Sequence, residues 1–152
     1  MNIIDYKTKH RQPFKELNIH WISKDFQLEE VDYNVLNDPE QFILKEGGCI
    51  LLAEENGEII GTAALINEGH SIFELTKMTV DERFRGRSIG FKLGLAVLEK
   101  AKQLRANKVI LFSNKVHNGN AINLYYKLGF REIPLGQSVF VRADIKMEIN
   151  IL

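Results

Sequence analysis

A basic turn that contains glycine gives the clearest chemical signal in this sequence. It runs from Arg83 to Gly90 as RFRGRSIG, between a strand pattern and a helical pattern that begins near Ser88. The first N–H groups of a helix have no intrahelical acceptor, and the helix dipole favours an anion at that end. Small residues let the main chain approach a ligand, and three arginines add positive charge. The turn predicts a site for a phosphate-bearing ligand; the alternative is a solvated turn whose glycines only serve packing.

Two regular elements would position this turn. The residues from Ile72 to Val80 are rich in β-branched and large apolar types, which favours a strand. Apolar residues then recur three or four positions apart from Ile89 to Leu104, with charged residues on the opposite side, which is typical of an amphipathic helix. This order places the helix N-terminus beside the end of the strand.

The turn fits neither of two common nucleotide motifs, because Gly-x-Gly-x-x-Gly and Gly-x-x-x-x-Gly-Lys-Ser/Thr are both absent from the sequence. It resembles the pyrophosphate-binding motif of the GCN5-related N-acetyltransferases (GNAT), Arg/Gln-x-x-Gly-x-Gly/Ala. Arg85, Ser88 and Gly90 occupy its three defined positions. Ser88 departs from the motif, which has glycine there. A serine keeps the backbone N–H and adds a hydroxyl group, but its Cβ limits how closely a ligand approaches.

A second stretch resembles the other signature of the same family. Asn118 to Phe130 reads NGNAINLYYKLGF, which matches Asn-x-x-Ala-x-x-Leu-Tyr-x-x-x-Gly-Phe. Two partial matches in the family's order are far more specific than either alone. The resemblance implies a GNAT-like acyl-CoA N-acyltransferase fold and transfer of an acetyl group from coenzyme A to an amine.

The whole chain sets limits on its class and setting. Its 152 residues fit one N-acetyltransferase domain, residues 1–152. The 20 basic and 20 acidic residues balance, which argues against a nucleic-acid partner and against an anionic membrane surface. Cys49 is the only cysteine, so a cytoplasmic setting is expected. No run approaches roughly 18 apolar residues and the histidines lack metal-ligand spacing, so we expect no membrane span and no metal.

Hydrophobic patterns predict a mixed sheet. An Asn-Gly turn at Asn56 joins two strands in a hairpin, and a strand, a crossover helix and a buried strand form a parallel unit. The result is an α/β fold with about seven strands and helices on both faces, which is also what the resemblance implies. The predicted strands are 3–6, 49–54, 58–66, 72–80, 109–112, 130–133 and 141–149, and the predicted helices are 13–23, 28–36, a short one after 38–39, 88–105 and 118–128.

The resemblance implies acetyl-CoA as co-substrate. The strand backbone at Met78, Thr79 and Val80 would pair with the pantetheine arm, and an amide near Met78 would polarise the acetyl carbonyl. Asn118, with Asn114 as a weaker candidate, would help to hold the cofactor; a plain helix cap is the alternative for Asn118. Backbone N–H groups would hold the pyrophosphate along Arg85, Gly86, Arg87, Ser88, Ile89 and Gly90.

Two side chains are candidates for proton transfer. A protonated amine, with a reference pKa of about 10.4 for a lysine-like group, must lose a proton before it attacks. Glu74 is the predicted base, because it lies in an apolar strand, on the face that we assign to Met78 and Val80, and because the family often has a glutamate there; a solvated strand end is the alternative. Tyr125 matches the family's general-acid tyrosine and would protonate the departing thiolate; a core aromatic is the alternative.

The acceptor site falls, by the same resemblance, in the helical region before the first hairpin and in the loop before the last strand. Carboxylates and aromatic rings lie close together in this part of the sequence, and such a combination can bind a cationic amine. The alternative is that these residues form a solvated helix face with no role in binding. Arg142 could instead pair with an acidic acceptor. The predicted substrate-binding residues are Trp21, Glu29, Asp32 and Tyr33.

The predicted function is therefore acetyl-CoA-dependent N-acetyl transfer to an amine of a small molecule or peptide, by direct attack in a ternary complex. An acyl-CoA-binding sensor without catalysis is the alternative, and Ser88 is the feature that keeps it open. A homodimer is compatible with the sequence. A nucleic-acid partner is disfavoured by the balanced charge.

Overall fold

Seven strands form one mixed sheet in the computed structural model, which describes residues 1–151. Their order across the sheet follows the chain, except that the seventh strand lies between the fifth and the sixth. Neighbouring strands are antiparallel apart from the parallel fourth and fifth. The strands are β1 (Asn2–Asp5), β2 (Cys49–Glu55), β3 (Glu58–Gly69), β4 (Ile72–Val80), β5 (Lys108–Ser113), β6 (Arg131–Ile133) and β7 (Ile145–Asn150).

Helices cover both faces of this sheet. The α-helices are α1 (Arg11–Asp25), α2 (Glu30–Asn37), α3 (Ile89–Gln103) and α4 (Gly119–Leu128), joined by short 3-10 helices at Thr8–His10 and Glu82–Phe84 and a π-helical turn at Glu40–Leu44. The first two α-helices and the π-helical turn pack on one face, and α3 and α4 pack on the other. The predicted mixed α/β sheet with helices on both faces is confirmed.

The core has two halves, one on each face of the sheet. Successive side chains of a strand point to opposite faces. Leu65 therefore packs toward α3 with Leu93, whereas its neighbour Ala64 packs toward α1 with Phe14. Leu93 and Phe14 are completely buried, and each such side chain contributes about 1.5–3 kcal/mol to folding.

The parallel strands β4 and β5 run side by side for only three residue pairs. Ile72, Phe73 and Glu74 pair with residues 108–110, and the ladder ends there. Both strands continue beyond this point without pairing to each other. The sheet therefore opens between them, and a cleft extends from the gap toward the N-terminal ends of α3 and α4.

A bulge in β4 reverses the faces of its side chains. Lys77 and Met78 together oppose the single residue Ala63 of β3, and Lys77 has a positive φ of 51°. One extra residue in a strand inverts the alternation of side chains beyond it. Val80 consequently packs on the α3 face, whereas Glu74 lies on the α1 face. Our assignment of Glu74 to the face of Met78 and Val80 is wrong for this reason.

The last strand begins later than predicted. We expected it over residues 141–149, but β7 starts at Ile145, because its partner β5 ends opposite it at Ser113. The preceding residues form an irregular turn, in which the Asp144 N–H donates to the Ser113 carbonyl (3.0 Å). Val141 in this turn is 93% exposed. Residues 134–144, called the 134–144 loop below, thereby bring Arg142 to the cleft.

Three further properties concern the part of the chain that the structure describes. Cys49 is a free, half-buried thiol, and burial raises its pKa to about 11. None of the helices within residues 1–151 combines the length and the apolar character that a membrane crossing requires. In the same range, no three His, Cys, Asp or Glu side chains are grouped in a way that could hold a metal ion.

Candidate active site

A cleft of about 1030 Å³ opens where β4 and β5 separate. Its walls are the end of β4, the turn before α3, the first part of α4, the C-terminal end of α1 and the 134–144 loop. The predicted site residues that line it are Trp21, Met78, Thr79, Val80, Arg85, Gly86, Ser88, Ile89, Gly90, Asn114, Asn118 and Tyr125. Those that do not are Glu29, Asp32, Tyr33, Glu74 and Arg87.

The turn before α3 presents a row of backbone N–H groups. Gly86 and Ser88 both have positive φ, 80° and 61°, and such alternation can form an anion-binding concavity of main-chain amides. Within residues 1–151, the N–H groups of residues 86–88 donate to no protein acceptor, and the first helical bond runs from Lys92 to the Ser88 carbonyl (3.1 Å). The prediction that the Arg85 amide belongs to this row is wrong, because its N–H donates to the Glu82 carbonyl (3.4 Å). The amides available to an anion are those of residues 86–91.

Carboxylates offset much of the positive charge predicted for this turn. Arg87 binds Glu55, with 2.8 Å between Nη1 and Oε2, and Arg83 forms ion pairs with two other carboxylates. Arg85 lines the cleft, and its Nε donates to the Val80 carbonyl (3.3 Å). The expectation that all three arginines add free positive charge is thus wrong for Arg83 and Arg87. The backbone amides are the main attraction for an anion.

The small residues of the turn serve both ligand approach and packing. A Cβ on Gly90 would lie 3.2 Å from Leu124, so Gly90 lets α3 and α4 approach each other. Gly86 has open space around it, but its φ of 80° favours glycine. Ser88 takes the same left-handed conformation at a cost of about 1–2 kcal/mol. The backbone conformation at Ser88 is therefore one that a glycine would adopt without strain.

Tyr125 lines the cleft from α4 and is 9% exposed. Its ring packs edge-on against Phe130, with 5.9 Å between the centroids. Tyr125 is therefore part of the hydrophobic core and also lines the cleft. Burial raises the pKa of Tyr125 to about 12. The phenol therefore keeps its proton at neutral pH and can donate it to a ligand. The neighbouring Tyr126 is 50% exposed and does not line the cleft.

Glu74 lies at the vertex of the opening, in the last paired position of β4 with Ile110 of β5. It is 4% exposed, so the alternative of a solvated strand end is wrong. Burial and, after it, the nearby carboxyl group of Glu68 raise the pKa of Glu74 to about 8, against an opposing effect of Lys77. Such a group gains and loses a proton near neutral pH. Direct contact with a substrate is not part of this geometry, because Glu74 does not line the cleft.

Asn114 and Asn118 flank the turn between β5 and α4. The side chain of Asn114 is engaged within the protein: Nδ2 donates to the Arg142 carbonyl and Oδ1 accepts from the His117 N–H, both at 2.9 Å. Asn118 is the N-cap residue of α4, and its carbonyl accepts from the Ile122 N–H (3.0 Å). Its side chain makes no capping hydrogen bond, so the cap and a role in binding a cofactor are compatible. The structure thus favours Asn118 over Asn114 as a side-chain ligand for a cofactor.

The predicted acceptor residues do not act as a group. Trp21 lines the cleft, whereas Tyr33 is 48% exposed outside it. Asp32 is completely buried, and both Asp32 and Glu29 form ion pairs with Arg142. The prediction that Glu29 and Asp32 bind a cationic amine is therefore wrong, because a cation of the protein already occupies them.

Lys77 and Arg142 are the partners of Asp32 that the sequence did not reveal. Lys77 Nζ lies 2.8 Å from Asp32 Oδ1, and Arg142 binds the same carboxylate through Nη1 (2.7 Å) and Nη2 (2.8 Å). Burial opposes the charge of Asp32, but the interactions with Arg142 and Lys77 outweigh it and lower the pKa of Asp32 to about 2. The available signal is that Lys77 is a second charged residue, after Glu74, in a strand whose other residues are apolar or threonine.

A chain of buried hydrogen bonds ties the bulge to α1. Thr62 Oγ1 donates to the Lys77 carbonyl (2.8 Å), and Asn18 Nδ2 donates to Thr62 Oγ1 (3.1 Å). Trp21 Nε1 completes the chain by donating to Asn18 Oδ1 (2.9 Å). Asn18 and Thr62 are completely buried. These bonds fix the main chain at the point where the two strands separate.

Known proteins resemble this chain in sequence. The sequence profile of the Acetyltransferase (GNAT) family matches residues 14–130. The chain belongs to this family. N-acetylaspartate synthetase of Mus musculus is 40% identical over 98 residues, which are 63% of this chain and 32% of that protein. This GNAT chain thus spans about a third of the length of the N-acetylaspartate synthetases that it matches.

Solved structures share the fold over nearly the whole chain. A GNAT-family acetyltransferase from Staphylococcus aureus Mu50 has a TM-score of 0.89 at 26% identity, with 99% of both chains covered. A putative acetyltransferase from Salmonella typhimurium with its cofactor acetyl-CoA has a TM-score of 0.77 at 19% identity, with 99% of this chain and 94% of that chain covered. The GNAT fold implied by the two sequence motifs is confirmed.

Proposed function

We propose that this chain is an acetyl-CoA-dependent N-acetyltransferase that acts on an amine of a small molecule or a peptide. One observation carries the proposal: a row of backbone N–H groups without protein acceptors, residues 86–88 and the start of α3, adjoins a cleft that Tyr125 also lines. Membership of the GNAT family supports it, and so does a relative named for an N-acetylated amino acid.

The cleft suits coenzyme A along its length. Its anion site, the amides of residues 86–91, would hold the diphosphate. Residues 78–80 of β4 lie on an edge that β5 leaves open, so the pantetheine arm can pair with them as an added strand. Asn118 offers a side-chain amide that caps no helix. The Salmonella typhimurium protein, whose structure includes acetyl-CoA, has the same fold and supports this fit.

Acetyl-CoA supplies an electrophilic thioester carbon and a thiolate leaving group. The bulge at Met78 interrupts the ladder of β4, so an amide there can donate to the acetyl oxygen as negative charge develops. The amine nitrogen attacks the carbonyl carbon and the carbon–sulfur bond breaks. Tyr125, which keeps its proton at neutral pH, protonates the departing thiolate and recovers a proton from solvent.

Glu74 is the proposed base, acting through a water molecule. Its carboxyl group lies at the vertex of the cleft but does not line it, so the amine proton must be relayed. A pKa of about 8 lets Glu74 accept that proton and return it to solvent near neutral pH. The resemblance implies a glutamate that acts either directly or through water, and the position of Glu74 outside the cleft lining favours water.

The test is acetyl transfer from acetyl-CoA to a panel of primary amines, followed by thiol release and by the mass of the product. The proposal predicts stoichiometric free thiol and acetylated amine. Tight binding of acetyl-CoA with no thiol release for any amine would instead identify the sensor alternative. Ser88 does not favour the sensor, because it adopts the conformation that glycine would take.

We also propose a cytoplasmic setting. The supporting observation is Cys49, the single cysteine of the chain, which is a free and half-buried thiol. Reduced thiols are typical of that compartment. Localisation of a tagged full-length protein by fractionation tests the proposal, and recovery from an oxidising compartment would contradict it.

A further inference from the structure

Four charged side chains form a cluster beside the cleft, where α2, β4 and the 134–144 loop meet. The charge cluster consists of Lys77, Arg142, Asp32 and Glu29. Asp32 binds Lys77 (2.8 Å) and Arg142 (2.7 Å), and Glu29 binds Arg142 (3.2 Å). Glu29 also accepts from the N–H of Val141 (3.0 Å), which holds the loop against α2. Two positive and two negative groups therefore fix one another at this wall.

The members of the cluster differ in what they present to the cleft. Lys77 and Arg142 line it, whereas Asp32 and Glu29 do not. The side chains of Asp32 and Lys77 are 0% and 2% exposed, whereas those of Arg142 and Glu29 are 12% and 20% exposed. Of the two that are partly exposed, only Arg142 lines the cleft. A ligand that enters meets the cationic edge of the cluster first.

A hydrogen-bond donor remains on that edge. Nη1 and Nη2 of Arg142 donate hydrogen bonds to the carboxylates of Glu29 and Asp32. The Nε–H of Arg142 donates to no acceptor within residues 1–151. Lys77 Nζ donates to Asp32 (2.8 Å), but the Lys77 side chain is only 2% exposed, so Lys77 contributes positive charge behind the wall. The wall can therefore donate a further hydrogen bond to an anion through Arg142.

Aromatic rings shape the space around this donor. The guanidinium carbon of Arg142 lies 4.6 Å from the ring centroid of Phe140 and 6.0 Å from those of Trp21 and Phe26. These rings hold the guanidinium by cation–π contacts and keep water from it, which strengthens a hydrogen bond to a bound anion. The aromatic residues are therefore already used to position Arg142 and do not form a free cage for a cationic ligand.

Buried ion pairs of this kind are a weak source of stability, because desolvation of the charges offsets much of their attraction. Their role here is to fix geometry, because Asp32 and Glu29 hold the guanidinium of Arg142 at the cleft. Resting on the proposed N-acetyltransferase function, we propose that the acceptor is an amine that also bears a carboxylate, an amino acid, and that Arg142 assisted by Lys77 receives this carboxylate.

Lys77 also connects the cluster to the proposed site of reaction. It precedes Met78, the residue whose main chain we assign to the acetyl carbonyl, and both belong to the bulge. Arg142 lines the same cleft as Met78. A carboxylate at Arg142 favours an amino acid over a polyamine or the side chain of a protein lysine.

The experiment compares amino acids with their carboxamides as acceptors for the wild-type protein. Glycine with glycinamide, and aspartate with its two monoamides and its diamide, are matched pairs that differ in the carboxylate. Rates are compared per free amine, because loss of the carboxylate also lowers the pKa of the ammonium group. We expect kcat/KM to be roughly 10- to 100-fold higher for the acid that reaches Arg142, because hydrogen bonds between charged groups contribute about 1.5–3 kcal/mol. The comparison needs no variant, so it does not depend on the folding of one.

The variant Arg142→Gln locates the effect. It should raise KM for the amino acid roughly 10- to 100-fold, the size of the lost hydrogen bond, and leave KM for the carboxamide and for acetyl-CoA unchanged. Lys24→Gln is the matched control, because Lys24 also lines the cleft, yet its side chain is 61% exposed and pairs with Glu82. We expect Lys24→Gln to change none of the three constants.

Equal or better transfer to carboxamides or polyamines would overturn the inference and leave the N-acetyltransferase function standing. If acetyl-CoA binds but no amine is acetylated, the proposed function fails. Calorimetric titration of the CoA-loaded protein with each acid and amide pair then decides the inference separately. A preference for the acid that Arg142→Gln abolishes would support the carboxylate site, and the absence of a preference would reject it.

Discussion

Two walls of the cleft differ in the groups that they present: one presents main-chain amides and the other presents charged side chains. At the wall that we propose for the cofactor, called the cofactor wall below, one contiguous segment, residues 86–91, presents neutral main-chain amides that have no protein acceptor within the described chain. At the wall that we propose for the acceptor, called the acceptor wall below, Asp32, Lys77 and Arg142 come from distant parts of the sequence and form ion pairs with one another. A bound anion would supply the acceptors that the amides of the first wall lack. The second is held in place before a ligand arrives, which lowers the entropy lost on binding.

This difference separates the variants that should harm folding from those that should harm binding or turnover. The acceptor wall contains buried charges, so the loss of one leaves another unpaired. The cofactor wall contains exposed amides, so a change there alters the ligand's surroundings more than the core. Four predictions sharpen this contrast, in order of falling effect.

The largest effect is expected from Asp32→Ala. This change leaves the buried ammonium of Lys77 without its partner and removes one partner of Arg142. Loss of one member of a buried ion pair lowers the free energy of unfolding by about 3–5 kcal/mol. Urea unfolding followed by circular dichroism measures it.

Glu29→Ala is the matched control for Asp32→Ala. Glu29 belongs to the same cluster, but its side chain is 20% exposed, so water can solvate the donors that it leaves. Its loss removes hydrogen bonds from the Val141 and Arg142 N–H groups and should cost about 1–2 kcal/mol. Equal losses for the two variants, or a small loss for both, would show that the acceptor wall does not depend on a buried carboxylate.

Tyr125→Phe should act on turnover and not on the cofactor wall. Removal of the hydroxyl group deprives the thiolate of its acid, and we expect kcat to fall about 100- to 1,000-fold. The dissociation constant of CoA should stay unchanged, because the ring remains packed against Phe130. Tyr126→Phe, one residue away and outside the cleft, should leave kcat at the wild-type value; a comparable fall would show that Tyr125 has no special role.

Glu74 lies where the two walls meet, and its test is a pH profile. Because burial raises its pKa to about 8, the carboxyl group holds its proton below that pH and cannot act as a base. We expect kcat/KM to rise with pH and to level off above about 8, and Glu74→Gln to lower the plateau about 100-fold and remove the inflection.

A second variant checks the cause of that pKa. The carboxyl group of Glu68 contributes to the raised pKa of Glu74, so Glu68→Gln should move the inflection to lower pH while keeping the plateau. An unchanged profile in Glu74→Gln would remove the base assignment. An unmoved inflection in Glu68→Gln would show that burial alone sets the pKa.

The smallest effects are expected at Ser88. Ser88→Gly should leave the CoA dissociation constant within about threefold of wild type, because a change of less than 1 kcal/mol is expected where glycine takes the same φ. Ser88→Val should weaken CoA binding about tenfold, since a β-branched residue fits positive φ poorly. Titration calorimetry compares them; equal affinities would show that the main chain at Ser88 does not contact the ligand.

The cofactor wall could be predicted from the sequence because its determinants are local. A strand, a turn and a helix that follow each other without a break fix where the amides of residues 85–90 lie, and Tyr125 follows from a motif within one helix. The bounds of β4 agree with the prediction, and those of α3 differ by one and two residues. Local periodicity carries this information.

The acceptor wall could not be predicted, because its contacts are long-range. Arg142 and Asp32 are 110 residues apart in sequence, and no local sequence pattern indicates that they form an ion pair. The face of Glu74 was assigned by simple alternation, which the bulge at Lys77 breaks. The start of β7 depends on where its partner β5 ends. Each error comes from an interaction between segments and not from a local preference.

The central claim is that the amides of residues 86–91 hold the diphosphate of coenzyme A. Titration calorimetry of the wild-type protein with CoA and with pantetheine, which lacks the diphosphate and the 3′-phosphoadenosine beyond it, tests it most directly, with 3′-phosphoadenosine titrated as the control for the nucleoside end. We predict saturable binding of CoA with a dissociation constant about 100-fold lower than that of pantetheine, since two hydrogen bonds to a charged group contribute about 3 kcal/mol. Equal affinity for the two ligands, or no heat with CoA, would contradict the account.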